Sequence, residues 1–175
     1  MNYKKIKAHL KPATIKSRIS TLDSQITRAI APRDLFDDEK VRAAVVALGQ
    51  NPEQALTCVY CSEPAAGWDH LLSIGKRGSH SIRNLVPCCE KCNSARSGCT
   101  WQAHVRRVEP DAEKRAALEE RLTAYSTGYT EPWDRTNLKK KFPEQMARLA
   151  KIRDELVALL MEADDLAKQI ALGVR

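Results

Sequence analysis

Five apolar positions, Ile15, Ile19, Leu22, Ile26 and Ile30, step along the chain by four, three, four and four residues. That rhythm puts them on one face of a helix over residues 14–30, which Ala31-Pro32 interrupts. Asp37-Asp38-Glu39 then leads into the apolar run 41–48. This predicts a second helix with acids at its positive end and Gly49 after its last turn. The rhythm breaks over 56–98, where short apolar runs alternate with Gly, Ser and Pro. Short strands or knuckles are predicted over 56–72 and a helix over 90–97. Helical periodicity returns over 111–125 and, longest of all, over 143–172. There Leu149, Leu156, Ala163 and Ile170 recur every seven residues, joined by Met146, Ile152, Leu159, Leu160 and Leu166. The stripe is wider than a two-position coiled-coil seam, which predicts packing against the N-terminal helix, with a dimer contact as the sharper alternative. Residues 129–133 and Lys139-Lys140-Lys141 read as an irregular connector with a basic cluster.

Composition bounds the answer further. The 175 residues suit about one domain with a small appendage, and 43% apolar with 29% charged residues excludes a wholly disordered chain. Aromatics are only 5%, so the core must be mainly aliphatic. No apolar run approaches the roughly 20 residues that span a bilayer, and no apolar segment follows the basic Met1-Asn2-Tyr3-Lys4-Lys5. A protein without membrane or signal segment, working in the cytoplasm, is expected. The net charge of +7 is uneven: residues 1–33 carry eight basic groups against one acid, and 58–107 seven against three. Two positive blocks of this kind suit a polyanion, whose condensed counterions are released on binding.

Six cysteines in such a chain argue for metal binding over disulfides. Cys58-Val-Tyr-Cys61 and Cys89-Glu-Lys-Cys92 are matched pairs with 27 residues between them. Two intervening residues let both thiolates of a pair turn toward one ion, and two such knuckles close a tetrahedral zinc shell with no place for water. One structural Zn2+ is therefore expected on Cys58, Cys61, Cys89 and Cys92. Cys88 could replace Cys89 only with a longer spacing, and Cys99 falls outside the pattern.

Between the pairs stand Trp68-Asp69-His70-Leu71, then Asn84-Leu85-Val86-Pro87-Cys88-Cys89, with Asn93 following Cys92 and Arg96 beyond. In this order the residues of 56–98 resemble the HNH endonuclease family, whose ββα-metal fold often carries two zinc knuckles around the catalytic hairpin. The resemblance makes His70 the first motif histidine, Asn84 the middle asparagine and Asn93 the last position, which is His in many members. It implies catalytic roles for His70, Asp69, Asn84 and Asn93. Asp69 and Asn93 would then hold a divalent cation, and two oxygen donors suit Mg2+ or Mn2+.

The chemistry fits these residue types. Phosphodiester hydrolysis needs an activated water, and His70 is a residue of the type whose unperturbed pKa lies near neutrality, so it is the expected general base. On a strand Asp69 and His70 would face opposite sides, so a twist or bulge is expected to bring them together. Asn84 is assigned an orienting role. Arg96, one helical turn past Asn93, is expected on a phosphate, as are Lys76, Arg77 and Arg83, while His80 in the basic loop is a candidate for phosphate or metal contact. Trp68 and Tyr60 are read as packing residues of the small zinc core, and Trp101 and His104 as structural residues opening the next helix.

The fold expected is therefore α+β, mostly α: a zinc-stabilised ββα-metal core over 56–100 between a basic helical segment 1–55 and a helical segment 101–175. The function expected is metal-dependent cleavage of double-stranded DNA by a homodimeric restriction enzyme of type II. A weakly specific nicking or phage-type nuclease is the alternative, and a non-catalytic zinc module binding DNA is the alternative of another class.

Overall fold

A computed structural model describes residues 14–127, 129 and 132–173. Residues 1–13, within the basic N-terminal block, and part of the 129–133 connector lie outside the described residues. The elements, in order, are α1 (Arg18–Ile30), α2 (Asp38–Ala47), β1 (Gly67–His70), β2 (Leu85–Cys88), α3 (Glu90–Ala95), α4 (Trp101–Val108), α5 (Ala112–Ser126), α6 (Arg135–Lys141) and α7 (Pro143–Gly173). The protein is α+β and mostly α. Its chain divides into two compact units, one spanning Thr27–Asp134 and one formed by the stretches before and after it.

In the unit of flanking stretches, α7 runs along the segment that begins with a 3-10 turn at Ile15–Ser17. The Ile15 amide donates to the buried Asp164 carboxylate at 2.7 Å, and Arg153 grips Asp23 with two nitrogens at 2.9 and 3.1 Å. The side of α7 that carries Arg153 and Asp164 thus meets the N-terminal stretch through polar anchors. Lys139–Lys141, expected in an irregular connector, instead form the last turn of α6. Lysine is a good helix former and favours the negative C-terminal end, but a seven-residue helix with a single apolar residue shows no period to read.

The unit Thr27–Asp134 holds the hairpin. β1 and β2 pair antiparallel with Gly67 opposite Cys88 and His70 opposite Leu85, and α3 follows directly, giving a ββα unit. Around it, Ala44 and Leu48 of α2, Trp101 and Val105 of α4, and Leu118, Leu122 and Tyr125 of α5 close one core over Val86 and the cysteines. Three helices, α2, α4 and α5, start where a side chain caps them: Asp37 accepts from Lys40, Thr100 from Ala103, and Asp111 from Glu113 and Lys114. Gly49, at φ +77°, ends α2 in the left-handed conformation that glycine adopts without strain. The Tyr125 hydroxyl lies 2.8 Å from the carbonyls of both Ile82 and Leu85, fixing the start of β2 against α5.

Candidate active site and structural metal centre

The first knuckle is a tight turn closed by Ser62 N–H to the Cys58 carbonyl (2.9 Å) and Cys58 N–H to the Glu63 carbonyl (2.7 Å), with Ser62 left-handed at φ 61°. The second is the start of α3, where Cys89 is the N-cap and its sulfur accepts from the Cys92 amide. Together they bring the sulfurs of Cys58, Cys61, Cys89 and Cys92 within 4.8 Å of one another, positioned to bind a metal ion. Cys61 and Cys89 are 3.6 Å apart, close to the sulfur spacing of about 3.8 Å that tetrahedral bonds of about 2.3 Å to zinc imply. A hydrogen bond from Cys88 draws the Cys58 thiol down to about 4, whereas burial pushes Cys61 and Cys92 up. A divalent cation is what lets all four become thiolates at once, so the donor set fits zinc. Cys88 is buried at the end of β2 with its sulfur against the Cys89 carbonyl, outside the cage.

β1 carries the acid and the imidazole on opposite faces. Its register with β2 is regular, without the expected bulge, so Asp69 turns inward and is buried while His70 is half-buried on the other side. The Asp69 carboxylate receives Arg96 Nε at 2.5 Å on Oδ2, Arg96 Nη2 at 3.1 Å on Oδ1, and the Tyr60 hydroxyl at 3.0 Å. Arg96 also donates to the carbonyls of Leu71 and His70 and is only 6% exposed. The surface phosphate contact expected of Arg96 is thus replaced by an internal one. A buried carboxylate needs a cation and hydrogen bonds, and the end of α3 supplies them. Tyr60, read from sequence as packing alone, provides the remaining donor.

On the outer face His70 Nε2 lies 3.1 Å from His80 Nδ1, the rings edge-to-face with centroids 5.0 Å apart. One nitrogen donates and the other accepts, so at least one imidazole of the pair is neutral. Burial first, then the charge of His80, lowers His70 to about 4, with Asp69 opposing and Arg28 and Arg96 adding to the fall. His80 is held by its backbone, whose N–H donates to the Pro32 carbonyl at 2.7 Å while the residue bridges to Arg33. Arg28, close enough for its charge to be felt at His70, carries no sequence motif; only the fold brings it there.

Asn84 is fully buried and uses its whole amide. Oδ1 accepts from Leu72 N–H (2.8 Å), and Nδ2 donates to the Leu72 and Ser79 carbonyls (3.0 and 2.7 Å). It therefore clasps both ends of the 72–79 loop. Asn93 lies exposed on α3, and no hydrogen bond joins it to Asp69 or His70. Lys76 and Arg77 are exposed on the loop, while the Arg83 guanidinium lies over the Tyr125 ring, 5.2 Å from its centroid. Trp68, expected to pack in the zinc core, is 44% exposed.

A four-sulfur cage beneath a two-stranded hairpin, with Asp-His on the first strand and a clasping Asn before the second, is joined by one further finding. Residues 58–98 match the model of the HNH endonuclease family. The chain carries an HNH endonuclease domain. No curated protein and no solved structure matches the chain. HNH nucleases act on DNA and use divalent metals. In this HNH domain, however, both oxygens of Asp69 are already engaged by Arg96 and Tyr60, so the acid does not fit a divalent ion in this arrangement. Among the described residues no helix is long and apolar enough to cross a membrane.

Proposed function

We propose that the protein is an endonuclease hydrolysing phosphodiester bonds in double-stranded DNA, with His70 as general base. The observation that carries this reading is the HNH match over residues 58–98, within which His70 is half-buried on β1 directly after Asp69, its Nε2 3.1 Å from His80 Nδ1. A neutral imidazole takes the proton of an attacking water, and Lys76 and Arg77 on the adjoining loop offer charge to the DNA backbone. Asn84 keeps that loop in place, and a metal ion in the four-cysteine cage would tie the first knuckle to the start of α3. Mg2+ or Mn2+ on Asp69 and Asn93 would require Arg96 to release the carboxylate. The long apolar helix α7 supports a homodimer, which would cut both strands of a palindrome as type II restriction enzymes do.

The test is digestion of a defined plasmid with each divalent ion in turn, followed by end sequencing. Discrete fragments from the wild type and none from His70→Ala, with DNA binding retained, are expected; undiminished cleavage by His70→Ala overturns the assignment of the base. The Asp69–Arg96 pair favours a second reading, a zinc module that binds DNA without cutting it. A plasmid left intact by every ion while still bound selects that reading.

A further inference from the structure

Beside the histidine pair a cleft of about 310 Å3 opens between the segment before α2 and the hairpin, lined by Leu35, Phe36, Val41, Trp68, His80 and Leu85 among others. Its walls are mainly apolar. The mouth holds Leu35 at 87% and Phe36 at 83% exposure, so two adjacent large apolar side chains stand in water, facing the half-exposed Trp68. This gathers one of the chain's two phenylalanines and one of its three tryptophans at one open site. Exposure on this scale marks a surface made for a ligand.

We propose that this cleft receives a nucleobase drawn out of the DNA stack next to the cleaved phosphate. The inference rests on the nuclease reading of His70. Four observations favour this occupant over a peptide or a helix. The volume is at the small end of ligand sites, about 300–1,000 Å3, which suits a single ring system. Aromatic walls stack on any base, whose two faces are apolar and whose edge is polar. His80 belongs both to the cleft and to the contact with His70, and one nucleotide advances a strand by only about 3.4 Å, so a phosphate at His70 leaves its neighbour's base at the cleft. The charge around it is complementary to a nucleic acid: Arg28 acts on His70 and Arg33 adjoins His80, whereas the one acid of the lining, Asp34, turns its Oδ2 to the Ile82 amide at 2.8 Å. Unstacking a base costs a few kcal/mol, which stacking on Phe36 and Trp68 would offset.

The experiment uses the full chain and duplex fragments of the defined plasmid, carrying 2-aminopurine at each purine position in turn. His70→Ala protein keeps the duplex whole. Binding is followed by anisotropy, and cutting of the unmodified duplex by wild type is run in parallel. A several-fold rise in 2-aminopurine emission at one position is expected on binding, lost in Phe36→Ala and in Trp68→Ala while the duplex stays bound. Both side chains are exposed enough for these variants to fold, which thermal unfolding checks. Binding and cutting with no rise at any position overturns the cleft proposal and leaves the nuclease reading standing. Absence of both binding and cutting overturns the nuclease reading, and the cleft proposal falls with it. If Phe36→Ala instead converts a dimer to a monomer in sedimentation, the cleft is a contact between copies and the proposal is wrong.

Discussion

His104, on α4, is buried with its ring edge-on to Tyr60 (centroids 4.9 Å), its Nδ1 3.0 Å from Arg107 and its Nε2 without a partner among the described residues. Burial above all, then the charges of Arg107 and Arg96, holds its pKa below the ordinary histidine value. The unfolded chain therefore binds the proton first as pH falls. The contribution of His104 is fully present above about pH 6.5 and declines with acidification below it. His70, lowered to about 4, acts in the same direction. Urea midpoints should accordingly drop between pH 7.5 and 5.5, and His104→Gln, which keeps an acceptor for Arg107 but cannot charge, should flatten the drop without abolishing it. An unchanged slope would show that His104 does not charge on unfolding. Asn84 offers a second test at this scale. Asn84→Ala orphans the Leu72 amide and two carbonyls, each at about 1–3 kcal/mol when buried. A loss of about 3 kcal/mol or more by urea unfolding is expected, against nearly none for Asn93→Ala on the exposed face of α3. The identities of His70 and Asn84 as special positions are legible in the order of the motif. The burial of Arg96 on Asp69 is not, because residues 27 apart in sequence meet only when α3 folds back across β1.

At the level of elements, the loop between the strands works as one piece because its ends are clasped and the turn at Gly78 has no room. Gly78 donates its N–H to the Ser73 carbonyl, and a Cβ there would stand 1.8 Å from the Leu72 carbonyl oxygen. That obstacle is backbone, which cannot swing aside. Gly78→Ala should therefore displace the loop and with it His80, lowering cleavage more than Gly75→Ala, whose Cβ meets nothing within 4 Å. Equal activity of the two variants would mean that the loop does not position the pair. The knuckles obey a similar logic at larger cost. α3 has six residues and β1 and β2 four each, too short to persist alone, so a metal ion on the four cysteines would add a cross-link that their own hydrogen bonds do not supply. Stripping zinc with a chelator, or Cys58→Ser, should abolish cooperative unfolding of the hairpin region rather than merely slow turnover. A sharp thermal transition retained without metal would contradict this. The cysteine spacing announces the cage directly, as the apolar periods announce α1, α2, α5 and α7. A regular strand at Asp69-His70 carries no such signal, since period two is invisible over four residues, and the expected bulge does not exist.

At the scale of the whole molecule, α7 leaves an apolar face uncovered among the described residues. Of its apolar residues, Leu156, Leu159, Leu166 and Ile170 fall on one face and remain largely exposed among the described residues, although Ile15 and Asp23 anchor the same helix on another side. A stripe of that length on a 31-residue helix is wider than packing within one chain consumes. A two-fold pairing of α7 with its copy would bury that face with the same residues on both sides, the self-complementary contact that closed dimers use. It would also bring two HNH domains to one duplex, as concerted cutting of both strands requires. The chain should then sediment at twice its 19.6 kDa mass. Leu159→Glu combined with Leu166→Glu places like charges across the seam and should yield monomers with unchanged zinc content and unchanged thermal unfolding of the hairpin unit. On a supercoiled plasmid those monomers should nick one strand rather than linearise. Linear product at wild-type rate from a monomeric double variant would separate the nuclease from the dimer and return α7 to a role within a single chain.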